Sequence, residues 1–177
     1  SHDWGCYHGY LFDEKYPNYI SDMMSMDVGL GIDERVKSKL FIVVYQLFLT
    51  IGFLIGGKIG TKMTHMFLNL SKKGKYGYTP QNEALIDSSY NYKYFYLWKN
   101  MLGSVFCKKR KILTGYKASC PWAYIYAKDK IAMFHSQSFL LKLSQNPKNE
   151  LHMVRGGHWM MFEHSDFLVD IIKRRNP

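Results

Sequence analysis

Cysteine is scarce in this chain of 177 residues, and its three copies lie far apart in sequence. They are Cys6, Cys107 and Cys120, an odd number that includes no Cys-x-x-Cys pair. A disulfide framework needs an even set of cysteines, and zinc or iron–sulfur sites need closely spaced ligands. The sequence therefore predicts free thiols, a reducing compartment such as the cytoplasm, and no metal or other cofactor.

Acidic residues are also few, since 14 Asp and Glu face 24 Lys and Arg and leave a net charge of +10. Much of the excess lies in three short basic clusters at residues 72–75, 108–111 and 173–175. Such clusters can bind nucleic acid or anionic lipid, but no nucleic-acid-binding motif accompanies them. We interpret them as solvated loops and a helix end, and we predict no nucleic-acid partner.

No signal peptide is visible, and one apolar run is long enough to cross a bilayer. It covers residues 40–57 without a charged side chain. Gln46 lies inside the run, and Gly52 and Gly56 fall toward its end. We therefore predict a cytoplasmic protein with a buried or substrate-facing helix here, and we keep membrane association as the minor alternative.

The remaining patterns indicate an α/β fold with parallel strands. Apolar runs of strand length alternate with helical segments in residues 1–31 and again in residues 116–177. Strands that alternate with helices pair in parallel, so both segments are predicted to share one sheet. The helical region at residues 32–115 is then an insertion. Strands are predicted at residues 20–27, 120–127 and 150–154, and core helices at residues 6–16, 136–143 and 165–175.

The first candidate catalytic residue is Asp3, in the segment Ser1-His2-Asp3-Trp4-Gly5. A tight turn from a strand into a helix holds such a side chain out above the sheet. The first amides of the helix can stabilise a developing oxyanion, so the backbone N–H of Trp4 is the predicted donor. A carboxylate in this place attacks carbon and forms an ester, which a water activated by a histidine then cleaves.

Three segments, in order, resemble the epoxide hydrolase and haloalkane dehalogenase branch of the α/β-hydrolases. His2-Asp3-Trp4-Gly5 resembles the nucleophile elbow of this branch, the sharp strand-to-helix turn that carries its aspartate. Residues 120–136 resemble the late strand and loop that usually bring the triad acid. Gly157-His158-Trp159, followed by Glu163 and a terminal helix, resembles the loop of the catalytic histidine. The resemblance covers nearly the whole chain and implies Asp3 as nucleophile and His158 as base.

Two carboxylates are candidates for the acid that orients the histidine and stabilises its imidazolium form. Asp129 follows the strand that ends at Ala127, but the spacing usual in this superfamily falls one residue later, on Lys130. Asp27 ends the strand that follows the nucleophile helix, where some haloalkane dehalogenases place their acid. We lean slightly to Asp129 and leave Asp27 open. The other six histidines lack comparable context and are interpreted as structural or surface residues.

The resemblance also implies that the insertion is a helical cap over the substrate pocket. Epoxide hydrolases of this type use two cap tyrosines to hold and protonate the epoxide oxygen, which a phenol can do at neutral pH. Tyr45, Tyr94 and Tyr96 are the candidates. Trp98 precedes Lys99-Asn100, where the family often has a tyrosine before an Arg-Asn pair, and a tryptophan there suits halide binding.

The expected function is hydrolysis of an epoxide to a diol through an ester on Asp3, with a small apolar substrate and water as partners. Hydrolysis of a carbon–halogen bond is the alternative. A non-catalytic protein that binds ligands or membranes through the α/β-hydrolase fold is the second alternative. The strands before the elbow and a second oxyanion loop are not among these 177 residues. We therefore expect an N-terminally truncated chain that is inactive and poorly folded alone.

Overall fold

A computed structural model describes residues 1–72, 82–106, 113 and 115–175. It divides the chain into two compact units. The first unit contains Ser1–Lys39 and Gly115–Pro177, and the second contains Leu40–Thr114. Cys107 and the basic residues at 73–75 and 108–111 lie outside the described residues.

A three-stranded parallel sheet forms the centre of the first unit. Its strands are β1 (Met23–Met26), β2 (Trp122–Ala127) and β3 (Glu150–Val154), and β2 lies between the other two. Nearly every residue of β2 is buried, as expected of a central parallel strand that is covered on both faces. The predicted α/β class with a parallel sheet is therefore confirmed.

The described helices alternate with the strands in the first unit and fill most of the second. They are α1 (Trp4–Lys15), α2 (Val36–Ile55), α3 (Gly57–Ser71), α4 (Tyr92–Phe106), α5 (Gln137–Ser144) and α6 (Ser165–Arg175). Short 3-10 turns occupy Glu83–Leu85, Ser88–Asn91 and Met160–Phe162. Within the predicted helical region at residues 32–115, the described part from residue 83 to 106 is two 3-10 turns followed by one helix.

The core of the first unit lies between the sheet and the last helix. Ala123, Ile125 and Ala127 of β2 are fully buried, and Leu168 and Ile171 of α6 pack into the same cluster. Met160 completes this cluster from the 3-10 turn just after the His158 loop. Burial of these apolar side chains stabilises the unit and holds the loop at the carboxyl end of β3 against the sheet.

A close approach of two helices defines the second unit. The chain turns between α2 and α3 at Gly56 and Gly57, which both have positive φ angles. A Cβ atom on Gly60 would lie 2.1 Å from the carbonyl oxygen of Gly52, so only glycine permits this contact. Asn91 Nδ2 donates a hydrogen bond to Thr64 Oγ1 at 2.7 Å and ties the 3-10 turn to α3.

Helix α2 is long and apolar enough to cross a membrane, a property that it shares with the core helices of soluble proteins. Only 28% of its apolar window is buried. Ile42 and Leu49 are buried, so the burial predicted for this run is found only in part. The opposite face is exposed and consists of apolar side chains: Leu40, Val44, Leu47, Ile51, Leu54 and Ile55.

Candidate active site

Asp3 lies at a strained turn between the sheet and α1. His2 pairs with Met26 in a parallel bridge, and α1 begins one residue after Asp3. Asp3 has a φ of 50° and a ψ of −125°, a backbone conformation that side chains other than glycine rarely adopt. The backbone N–H of Gly5 donates to the carbonyl of His2 at 2.9 Å and closes the turn. Strain of this kind recurs at functional sites, and here it holds the carboxylate partly exposed.

Trp4, the predicted oxyanion donor, is the first residue of α1. The amides of the first turn of a helix point along its axis toward the N-terminal end. Trp4 directly follows Asp3, so its N–H is one of these first-turn amides. The oxyanion role itself stays a prediction.

His158 lies between two carboxylates. Its Nδ1 donates a hydrogen bond to Asp27 Oδ2 at 2.6 Å. Its Nε2 is 3.8 Å from Asp3 Oδ1, adjacent to the carboxylate but beyond hydrogen-bond distance. One ring nitrogen is thus fixed by an acid, and the other faces the nucleophile. This is the order of contacts that a nucleophile, a base and an acid require.

Asp27 is a fully buried carboxylate at the carboxyl end of β1. Its φ of 72° turns the chain sharply after the strand. Oδ2 accepts from His158, and Oδ1 accepts from the Lys130 ammonium and, at 3.4 Å, from the backbone N–H of Ala127. Burial alone would raise the pKa of Asp27, but the bonds from His158 and Lys130 outweigh it and hold the pKa below its usual value.

Asp129, the slightly preferred acid, closes a turn. Its Oδ2 accepts from the backbone N–H of Gly156 at 3.2 Å, and its own N–H donates to the Gly156 carbonyl at the same distance. The carboxylate that hydrogen-bonds to His158 is Asp27. The loop after β2 instead directs Asp129 to the backbone after β3, and the choice of acid stays a prediction.

Lys130 is the residue that the sequence reasoning overlooked. Its side chain is only 7% exposed, and its ammonium pairs with Asp27 and lies 5.7 Å above the Phe134 ring. Burial lowers the pKa of Lys130, whereas the Asp27 carboxylate opposes that shift. Its position in the sequence could have indicated this place, since Lys130 stands where the usual spacing of the superfamily puts the acid.

His2 has a place in the site that its context in the sequence did not indicate. Its Nε2 donates to the backbone carbonyl of His158 at 2.8 Å. Its ring lies 4.5 Å from the His158 ring and 5.2 Å from the Trp159 ring, between centroids. Burial lowers the pKa of His2, so the neutral form that donates from Nε2 is favoured.

The predicted substrate-binding residues all lie in the second unit. The Tyr45 ring stacks on Phe67 at 5.2 Å and meets the Tyr94 ring at 5.9 Å in a T-shaped arrangement, so these two tyrosines are neighbours. Tyr96 is half-exposed. Trp98 carries a buried indole N–H that has no hydrogen-bond partner among the described residues. Their part in substrate binding stays a prediction.

Two cavities are lined by residues other than the predicted site residues. One in the second unit measures about 590 Å³ and lies between the α2–α3 turn and Asp87–Ser89. One in the first unit measures about 370 Å³ and is lined by Tyr126 and His135, among others. Neither lining includes a residue of the Asp3, His158 and Asp27 cluster. Among the described residues no group of three or more His, Cys, Asp or Glu side chains could hold a metal ion.

No protein-family model matches the chain, and a search of curated proteins finds no match to it. The relationship to α/β-hydrolases therefore stays a prediction from the sequence motifs. Any function has to be inferred from the geometry of the described residues.

Proposed function

We propose that this chain carries the catalytic triad of a hydrolase that works through an ester on Asp3. The observation that supports it most strongly is the position of His158, with Nδ1 on Asp27 and Nε2 beside Asp3. Either carboxylate alone could have a structural role. A strained aspartate, a histidine and a buried acid in this order are the parts that such a reaction needs.

The first step forms the ester. An Asp3 oxygen attacks one carbon of an epoxide, the C–O bond breaks, and the ring oxygen takes a proton from a donor. The family resemblance, rather than a contact in the structure, supplies the candidate donors, the cap tyrosines Tyr45 and Tyr94. For a haloalkane, the alternative substrate, a halide leaves instead, and the same resemblance offers Trp98 as the halide-binding residue.

The second step cleaves the ester. His158 Nε2 takes a proton from water, and the resulting hydroxide adds to the Asp3 carbonyl carbon, where the Trp4 N–H is the proposed oxyanion donor. Collapse of this intermediate releases the alcohol and regenerates the carboxylate. Asp27 stabilises the imidazolium, whose proton returns through solvent to the donor used in the first step. The net reaction is epoxide plus water to diol.

Oxygen labelling tests this mechanism directly. The intact natural protein that contains these residues is turned over with an epoxide in H₂¹⁸O, and the Asp3 peptide is analysed by fragmentation that separates Asp3 from Asp13. We expect label in Asp3, because water attacks its carbonyl carbon. A His158→Gln variant is the matched control and should accumulate the unlabelled ester, since it lacks the base. Turnover that leaves Asp3 unlabelled would overturn the ester mechanism.

A second candidate function, membrane association, is favoured by the exposed apolar face of α2. Lys37 and Lys39 precede this face, so vesicles that contain anionic lipid are the appropriate probe. We expect co-sedimentation with such vesicles, and we expect Val44→Asp with Ile51→Asp to abolish it by placing charges on the exposed face. Failure of the unaltered protein to sediment with vesicles would remove this candidate.

A further inference from the structure

The Lys130–Asp27 pair is a buried ion pair at the back of the proposed triad. The Lys130 side chain is 7% exposed and that of Asp27 is 0% exposed. The two residues come from different loops, at the carboxyl ends of neighbouring strands β1 and β2. Removing one partner of such a pair leaves an uncompensated buried charge, which is strongly unfavourable.

We propose that Lys130 is a positioning residue that keeps the triad acid ionised and directs its second oxygen to His158. This inference rests on the function proposed above. It assigns a role to a lysine at the position where the usual spacing places a carboxylate. The Asp27 carboxylate after β1 and the Lys130 ammonium after β2 then act together as an ion pair.

The division of contacts between the two oxygens of Asp27 supports this role. Oδ1 is taken by the Lys130 ammonium and the Ala127 N–H, which leaves Oδ2 for His158 alone. With both oxygens held, rotation of the carboxylate about its own axis is restricted. A carboxylate held in this way keeps the imidazole in the tautomer that carries its proton on Nδ1.

The charge of Lys130 matters because the Asp27 side chain is fully buried. A carboxylate this deeply buried tends to protonate, and a protonated Asp27 cannot stabilise an imidazolium. Loss of the ammonium therefore raises the pKa of Asp27, so the acid is neutralised at higher pH than in the unaltered protein. The acidic limb of the pH–rate profile should consequently move to higher pH.

Few other groups near the pair interfere with this measurement. Burial and the Lys130 charge lower the pKa of His135 to about 4, burial raises the pKa of Tyr124 well above 10, and burial lowers the pKa of His2. All three are thus neutral near pH 7. Asp3 adds a charge that acts on Lys130, and His158 contacts Asp27 directly. Of the groups named here that titrate below pH 7, Asp27 and His158 are the two that the proposed ester hydrolysis uses together, so a shifted acidic limb is assigned to that pair.

The test compares Lys130→Met with Lys128→Met in the intact natural protein. Lys128 is an exposed lysine on the same loop and serves as the matched control. For Lys130→Met we expect hydrolysis of the Asp3 ester to slow by about 10- to 1,000-fold, with the acidic limb at higher pH. Formation of the ester should be little changed, because the first step uses neither Asp27 nor His158. The ester should therefore accumulate on Asp3, which mass spectrometry detects.

A general structural role would slow both steps, so slowing of both to the same extent would overturn the proposal. Unchanged ester hydrolysis and an unchanged pH profile in a folded Lys130→Met variant would also overturn it. If that variant does not fold, Lys130→Gln keeps a donor to Asp27 without the charge and is judged by the same two readouts. If the unaltered protein forms no ester, the proposed function itself is wrong. If it forms and hydrolyses the ester but Lys130→Met does the same at the same rate, only the role of Lys130 is wrong.

Discussion

The loops after β1 and β2 differ in the contacts that their aspartates make. Each follows a strand of the same parallel sheet, and each carries an aspartate close to its strand end. Asp27 is buried and hydrogen-bonded to His158, whereas Asp129 is exposed and closes a turn with Gly156. The backbone differs as well, because Asp27 has a positive φ of 72° directly after β1 and Asp129 has no positive φ. Two aspartates in similar places at strand ends can therefore make quite different contacts.

The largest expected effect is at Asp27. Asp27→Asn keeps the shape of the side chain but loses the charge that stabilises the imidazolium and fixes its tautomer. We expect kcat to fall by roughly 10³- to 10⁴-fold, as when the acid of a comparable triad is neutralised. Steady-state kinetics and accumulation of the Asp3 ester measure this loss. Activity close to that of the unaltered protein would remove Asp27 from the triad.

A much smaller effect is expected at Asp129. Asp129→Ala removes the acceptor for the Gly156 N–H in a part-buried hydrogen bond. We expect the free energy of unfolding to fall by about 1 kcal/mol, the typical net value of one hydrogen bond. Denaturant unfolding measures this change, and kcat should be unaltered. A loss of activity as large as that of Asp27→Asn would reverse the comparison and restore Asp129 as the acid.

Much of the first unit could be predicted from sequence. Strand β3 and helix α6 have the bounds that their patterns indicate, and the predicted α5 is displaced by only one residue. Ser136 caps α5 by accepting a hydrogen bond from the Phe139 N–H. Serine is a favoured N-cap residue, so the sequence indicates where this helix begins. Strand β1 is shorter than predicted, since the strand covers only Met23–Met26.

The side-chain contacts between different loops could not be predicted in the same way. The contact of Lys130 with Asp27 joins residues far apart in sequence, and no local pattern encodes which of two aspartates faces a histidine. His2 likewise has its partner at the other end of the chain. Local propensity sets the elements, but the site depends on how three loops meet at the carboxyl ends of the strands.

The bond between the His2 side chain and the backbone of His158 has a mechanical consequence. His2 is the immediate neighbour of Asp3, so the loop that bears His158 is tethered to the turn that bears Asp3. A displacement of that turn is therefore expected to move His158 with it. The 3.8 Å separation of His158 Nε2 and Asp3 Oδ1 is thus held by two bonds to the His158 residue, one from the His2 side chain to its carbonyl and one from its Nδ1 to Asp27.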